Sequence, residues 1–247
     1  MQAPLISIIT VTYNAADVIG KTLESVKRQS FQDFEHLIID GASKDDTLKV
    51  VENYRYPQIK LLSEPDKGLY DAMNKGLRMA KGKYVIFLNA GDAFHDTQTL
   101  EHYAEKAAEG ADIIYGDTVI CDITGKAKGP RHLSVPDTLT RNSFSNGMLI
   151  CHQAFMVKKD LATEYDTTYK FSADYDWCVK CIFRGQPEKF VNLHKVTINY
   201  LSDGLTDKNK IKSLRERFRI MARHYGFFVT LTRHFQFITR ALRRRSL

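Results

Sequence analysis

The stretch that decides the fold is Tyr84-Val85-Ile86-Phe87-Leu88-Asn89-Ala90-Gly91-Asp92. Its first five residues form an unbroken apolar run that is too short for a typical helix, so we expect a strand buried on both faces. Such strands belong to sheets that helices cover on both sides. Asn89 and Asp92 follow the strand, where open α/β sheets bind their ligands. Asp92 is therefore expected to hold a cation and a phosphate, unless it only caps the next helix.

The same order of strand, polar loop and helix recurs along the first 95 residues, which predicts parallel strands joined by right-handed crossovers. The carboxyl ends of parallel strands meet at one edge of a sheet. Four polar groups stand at such ends: Thr12 to Asn14, Asp40 to Ser43, Glu64 to Lys67, and Asn89 to Asp92. Their convergence predicts a ligand site at this edge.

Several function classes are disfavoured. No G-x-G-x-x-G follows the first strand and no Walker lysine motif is present, which argues against nicotinamide and P-loop enzymes. Residues 208–247 hold 12 Lys and Arg against one acid, whereas the first 207 residues hold 24 bases against 28 acids. Nucleic-acid backbones are bound by Lys and Arg. The ligand edge lies in the acidic part of the chain, so no nucleic-acid partner is predicted.

The sequence predicts a cytoplasmic protein. No signal peptide and no run of transmembrane length is apparent. The four cysteines suggest no disulfide framework, which is typical of a reducing compartment. Cys178 and Cys181 form a C-x-x-C within an apparent helix, where ordinary packing is favoured over zinc or redox chemistry.

Four segments carry a resemblance to a known family: Ile8 to Asn14, Ile39 to Thr47, Ser63 to Gly76, and Leu88 to Asp92. In this order they resemble the family 2 glycosyltransferases with the GT-A fold, and the third is similar to the branch that assembles bacterial O-antigen and capsule. The resemblance covers about residues 5–205. It implies an α/β fold with a mostly parallel central sheet flanked by helices. The expected catalytic domain is 1–207, with a nucleotide-sugar half at about 1–95 and an acceptor half at about 96–207.

The resemblance also implies a site for a nucleotide-sugar donor. Thr12 and Tyr13 would border the base, and Asp40 would accept hydrogen bonds from uracil or ribose. The other expected donor-binding residues are Asn14, Ser43, Lys67 and Asn89. Asp92 stands at the carboxylate that binds Mn²⁺ or Mg²⁺ in the family. The usual Asp-x-Asp-Asp run is Asn89-Ala90-Gly91-Asp92 here, so this expected metal site keeps one carboxylate.

The second expected cluster serves the acceptor. The family's Glu-Asp pair falls at Ala173-Asp174, which makes Asp174 the expected catalytic base, although an Asp at this place also suits a helix N-cap. The residues expected on the acceptor side are His152, Gln153, Asp176 and Trp177. Each of three residues has an alternative role. His152 would be a hydrogen-bonded core histidine, Asp176 a first-turn charge that complements the helix dipole, and Trp177 a buried anchor.

Together these features predict an inverting hexosyltransferase. It would move a sugar from a nucleoside diphosphate, with a preference for UDP, to a lipid-linked oligosaccharide or polysaccharide acceptor in cell-surface glycan synthesis. The alternative is a sugar-phosphate nucleotidyltransferase. That class should carry a glycine-rich loop with Arg and Lys after its first strand, whereas this chain has Thr12-Tyr13-Asn14-Ala15-Ala16.

Residues 208–247 are expected to form a basic amphipathic helical extension. Apolar residues recur at helical spacing in two runs, which are Ile211, Leu214, Phe218, Met221 and Tyr225, and then Phe228, Leu231, Phe235, Ile238 and Leu242. We expect the first run to pack on the catalytic domain. The second, with Arg243-Arg244-Arg245, fits a helix lying on an anionic membrane surface, so a peripheral protein of the inner face is predicted. A homodimer interface is the alternative.

Overall fold

A computed structural model describes residues 3–202 and 210–243. Its first half contains the strands β1 (Ile6–Thr12), β2 (Phe34–Asp40), β3 (Ile59–Ser63) and β4 (Tyr84–Phe87) and the helices α1 (Ala16–Lys27), α2 (Thr47–Asn53) and α3 (Leu69–Met79). The four strands pair in parallel in the order β3-β2-β1-β4. Every residue of β1, β2 and β4 is buried, as the apolar runs predict. The parallel half of the sheet is therefore confirmed.

The second half adds the strands β5 (Ala93–Phe94), β6 (Ile113–Cys121), β7 (Ala127–Pro130), β8 (Phe155–Lys158) and β9 (Phe190–Leu201) and the helices α4 (Thr99–Ala108) and α5 (Ala173–Arg184). The sheet continues from β4 through β8, β6 and β9 to β5, and β7 pairs with β6. Most of these added pairs are antiparallel. The sheet is therefore mixed. β6 pairs with β9 in parallel, but β8 runs antiparallel between β4 and β6, and β5 runs antiparallel to β9, so the expected parallel order is complete only for β1 to β4.

Helices cover the buried strands from two sides. Ile19 and Leu23 of α1 pack with Ile38 of β2, whereas Met73 and Leu77 of α3 belong to the larger core that surrounds β1 and β4. Successive strand residues point to opposite faces, so a strand that is apolar at every position needs helices on both faces. This arrangement leaves the carboxyl ends of β1, β2 and β4 as an open polar edge.

Two helices end the described chain, α6 (Lys210–Tyr225) and α7 (Phe227–Arg243). Ile220 and Met221 of α6 are buried, and Phe237 of α7 packs against the main core. Ile211 and Leu214, which the spacing predicts on the packed face of α6, are instead exposed. In the part of the chain that the structure describes, no helix has the length and apolarity needed to cross a membrane.

Candidate active site

The loops after β1 and β2 are joined by one network of hydrogen bonds. Asp40 is fully buried and accepts from the Ser43 N–H at 3.0 Å, the Ser43 hydroxyl and the Ser63 hydroxyl at 2.6 Å. The Ser43 oxygen accepts from the Asn14 N–H at 2.8 Å, and Asn14 Oδ1 accepts from the Lys44 N–H at 2.9 Å. Asn14, Asp40 and Ser43 therefore shape the sheet edge. Their binding of a nucleotide stays a prediction, and the Asp40 carboxylate faces the protein.

An exposed aromatic ring and a second carboxylate lie beside this network. A Cβ atom on Gly41 would come within 2.4 Å of Asp66 Oδ2 and 3.3 Å of Tyr13 Cδ2, so only glycine lets both approach the backbone here. The Tyr13 side chain is 59% exposed. A flat ring next to a hydrogen-bond acceptor suits a nucleobase. Asp66 was not named among the donor-binding residues, although it lies in the polar group Glu64 to Lys67 that was predicted at this edge.

Two buried oxygens at the same edge lack partners within residues 3–202 and 210–243. They are Thr12 Oγ1 at the end of β1 and Asn89 Oδ1 just after β4, which pairs with β1. Buried polar atoms are almost always hydrogen-bonded, so these two positions call for a ligand group or a water. Both residues were predicted to bind the donor.

Asp92, the predicted metal ligand, is turned inward. It is 4% exposed, its Oδ1 accepts from the Leu201 N–H at 2.9 Å, and the Gln153 side chain also hydrogen-bonds it. Burial raises the pKa of Asp92 to about 7, although these two hydrogen bonds lower it. Asp92 thus ties the loop after β4 to the end of β9. Within the described ranges, no three His, Cys, Asp or Glu side chains gather to hold a metal.

Asp174 meets the nucleotide half across the cleft. Helix α5 begins at Ala173 with Ser172 as N-cap, so Asp174 lies in the first turn and the N-cap alternative does not apply. Its half-buried carboxylate accepts from the Tyr70 hydroxyl at 3.3 Å and from the Tyr175 N–H at 2.9 Å. Burial and the Asp174 charge raise the pKa of Tyr70, which therefore stays protonated and can donate. Tyr70 was missed by sequence reasoning.

A small cleft lies beside Tyr70, the residue that donates to Asp174. Its walls come from the start of α3 and from the segment before α5, and the lining includes Lys67, Tyr70, Asp71, Tyr169 and Lys170. The Lys67 side chain is exposed, and its backbone N–H donates to Asp71 Oδ2 at 2.9 Å. Lys67 and Lys170 place two cations at this cleft beside Asp71, and Tyr70 links its wall to Asp174 by the hydrogen bond described above. Cations at such a cleft suit an anionic leaving group.

The four residues predicted on the acceptor side are buried. Trp177 is fully buried, donates from Nε1 to the Thr163 carbonyl at 2.7 Å and stacks on Tyr165 with ring centroids 5.3 Å apart. His152 Nε2 lies 2.6 Å from the Tyr165 hydroxyl, and burial lowers the pKa of His152 to about 4 against the opposing effect of Asp174. These contacts agree with the core alternatives for both residues. Their role on the acceptor side stays a prediction, and the burial of both side chains does not support it.

Gln153 and Asp176 also face protein groups. Gln153 Oε1 accepts from the Cys151 thiol at 2.9 Å while its side chain hydrogen-bonds Asp92. Asp176 is fully buried, with His224 Nε2 at 2.7 Å and Lys180 Nζ at 2.6 Å. Burial works to raise the pKa of Asp176, but these two partners outweigh it and the pKa is lowered. Asp176 therefore serves the packing of α6 on α5 in this structure.

Comparison with solved structures identifies the fold. TarS of S. aureus matches 94% of this chain and 72% of its own with a TM-score of 0.72 at 20% identity. The mannosyltransferase PcManGT of Pyrobaculum calidifontis, solved with GDP-Man and Mn²⁺, matches 95% of this chain and 71% of its own with a TM-score of 0.66 at 17% identity. The fold is thus that of the GT-A glycosyltransferases, as predicted.

The sequence comparisons give the family. The profile of Glycosyl transferase family 2 matches residues 7–165. The PGL/p-HBAD biosynthesis glycosyltransferase of Mycobacterium bovis (strain BCG / Pasteur 1173P2) is 31% identical over 227 residues, which cover 87% of this chain and 85% of the relative. The chain belongs to glycosyl transferase family 2 and is a glycosyltransferase.

Proposed function

We propose that this glycosyltransferase inverts the anomeric centre as it moves a sugar from a UDP donor to a hydroxyl of a lipid-linked or polysaccharide acceptor. The observation that carries the proposal is the Asp174 carboxylate, half-buried at the start of α5 and hydrogen-bonded to Tyr70 of the nucleotide half. A single base is what direct displacement requires, because no covalent intermediate has to be formed.

The chemistry is one displacement. The acceptor oxygen attacks the anomeric carbon from the face opposite the diphosphate, and the bond from that carbon to the diphosphate oxygen breaks. The acceptor proton passes to Asp174, and the diphosphate leaves with the bonding electron pair. General-base assistance of this kind contributes about 10²- to 10⁴-fold in rate. Lys67, exposed on the cleft that Tyr70 also lines, is the cation proposed to stabilise the departing diphosphate.

A divalent cation, Mn²⁺ or Mg²⁺, would supply Lewis-acid stabilisation of that diphosphate. The residues do not fit an ion held by Asp92, since its Oδ1 is occupied by the Leu201 N–H and the carboxylate is 4% exposed. Asp92 therefore holds no metal in the proposed step. Among the described residues, the buried oxygens that lack a partner at this edge are Thr12 Oγ1 and Asn89 Oδ1.

The preference for UDP is supported by a relative in fold. The Asp66 carboxylate beside Tyr13 can accept the ring N–H of uracil or of guanine, so it suits a nucleobase without selecting between these two. TarS of S. aureus was solved with UDP-GlcNAc, whereas PcManGT was solved with GDP-Man. The cell-envelope role is supported by the relative named for PGL/p-HBAD biosynthesis.

A thermal-shift panel tests the donor class. We expect UDP and UDP-sugars to raise the melting temperature of the full chain, because a ligand at a hundred times its Kd stabilises the folded state by about 2.7 kcal/mol. For a chain of this size that corresponds to roughly 5–10 °C. GDP at the same concentration is the control, and each nucleotide is measured with Mn²⁺ and with chelator. Equal shifts by GDP would overturn the base preference, and UDP-sugar formation from UTP and a sugar phosphate would favour the nucleotidyltransferase alternative.

We further propose that α7 binds an anionic membrane at the cytoplasmic face. Phe228, Leu231 and Phe235, from the predicted apolar run, are 81%, 51% and 68% exposed. Exposed apolar side chains grouped in this way mark an interaction surface. Residues 208–247 carry 12 Lys and Arg against one Glu, so two copies facing each other would repel while anionic lipid would attract. The charge therefore favours a membrane over a homodimer.

Sedimentation with liposomes tests this surface. We expect the full chain to pellet with vesicles rich in phosphatidylglycerol at low salt and to stay in solution with phosphatidylcholine alone, because each basic residue near an anionic surface contributes about 1 kcal/mol. The Phe228→Ser/Phe235→Ser variant should lose binding, while Ile123→Ser, at a side chain 60% exposed far from α7 in the chain, should retain it. If the full chain stays in the supernatant at low salt, the membrane proposal is contradicted. If the full chain is a dimer and the double variant is a monomer, the homodimer alternative is supported.

A further inference from the structure

Helix α6 contacts the segment that carries Asp174 on both sides of this residue. Glu216 Oε1 accepts from the Lys170 N–H at 2.8 Å, and Glu216 Oε2 accepts from the Phe171 N–H at 2.8 Å. Beyond Asp174, His224 of the same helix lies 2.7 Å from Asp176. The first turn of α5 is therefore held at its entrance and on its buried side by a helix about 40 residues later in the chain.

The N-cap residue of α5 also contacts this helix. Ser172 is the N-cap, but its hydroxyl makes no capping hydrogen bond to α5 and lies 2.9 Å from the Ser213 hydroxyl. Both serines are buried. A serine at an N-cap normally accepts a hydrogen bond from its own helix. Here the side chain is directed to α6 instead, so the local sequence alone does not fix the direction in which the first turn starts.

We propose that Glu216 is a positioning residue, which sets the orientation of Asp174 through the backbone of residues 170–172. The inference rests on the proposed role of Asp174 as the base. Glu216 bonds both N–H groups with one carboxylate, one to each oxygen, so the segment can neither rotate nor slide without losing a charge-assisted hydrogen bond. A misplacement of about 1 Å at a reacting group can lower a rate about 10²-fold. Glu216 thus gives α6 a positioning role in addition to its place in the surface extension.

Three variants test the proposal in the full chain. Glu216→Ala removes both acceptors, Glu216→Gln keeps one oxygen but presents an N–H₂ to the other donor, and Arg219→Ala is an exposed control on the same helix. The activity probe is UDP release from UDP-GlcNAc and other UDP-hexoses with water as acceptor, and UDP binding is measured by calorimetry. We expect turnover to fall about 10-fold or more in Glu216→Ala and less in Glu216→Gln, with UDP affinity unchanged.

A double-mutant cycle separates positioning from general loss of structure. If Glu216 acts through Asp174, the effect of Glu216→Ala should vanish in an Asp174→Asn background, whereas a merely structural effect should persist there. Hydrogen exchange supplies a second readout, since amides 170 and 171 should both lose protection in Glu216→Ala and keep it in Arg219→Ala. Unchanged protection, or an additive cycle, overturns the proposal. Full turnover in Asp174→Asn would overturn the proposed base instead, so the two failures are distinguishable.

Discussion

Asp174→Asn should lower turnover by about 10²-fold or more and leave UDP affinity unchanged. The amide oxygen can still accept from the Tyr175 N–H and the Tyr70 hydroxyl, which the carboxylate bonds at 2.9 and 3.3 Å, so the first turn of α5 should keep its shape. What the variant loses is the capacity to take the acceptor proton. The rate constant of a single turnover, measured with saturating UDP-sugar, reports this loss directly.

The control for this variant is Asp46→Asn. Asp46 is also an acid at the start of a helix, α2, but it is exposed and makes no side-chain capping bond. Replacing it changes the charge near a helix N-terminus without touching the cleft, so turnover should stay near the wild-type value. If Asp174→Asn kept nearly normal turnover but melted at a lower temperature, Asp174 would have a structural role and the base would have to be sought elsewhere.

Trp177→Ala should destabilise the fold by about 3–5 kcal/mol, the usual cost of removing a large buried aromatic side chain. Trp177 stands among four other rings, those of Phe87, His152, Phe155 and Tyr165, with centroids 5.3–6.0 Å away. Losing the indole leaves a cavity in this cluster and an unpaired Thr163 carbonyl. Urea unfolding followed by circular dichroism measures the change in the free energy of unfolding.

Two further variants define what this result means. Trp177→Phe keeps a ring but drops the indole N–H, so it should cost less than the alanine variant. Phe183→Ala, at a side chain 38% exposed on the same helix, should also cost less because less apolar surface is involved. If the Trp177→Ala protein had normal stability and a raised KM for the acceptor, Trp177 would not be a core anchor. It would then have the predicted role on the acceptor side.

The sequence by itself determined the elements of the first half and the edge where they converge. Runs of mainly apolar residues identify β1, β2 and β4, since strands buried on both faces lack a regular polar alternation. β1 and β2 also bury Ser7, Glu35 and His36. The polar residues after these strands identify the ligand edge because parallel strands end together. The order of the motifs identified the family. Each of these conclusions depends only on neighbours in the chain or on a pattern that repeats along it.

The tertiary structure alone decided which polar groups at that edge face the cleft. Asp40 and Asp66 both follow strands, yet the first bonds its own loop while the second lies beside the exposed Tyr13. Asp92 is held by Leu201, 109 residues away, and the entrance to α5 by Glu216, 46 residues after Lys170. The chemistry of a carboxylate can be inferred from its residue type, but its direction depends on partners that are distant in sequence. Only the folded chain brings those partners within hydrogen-bonding distance.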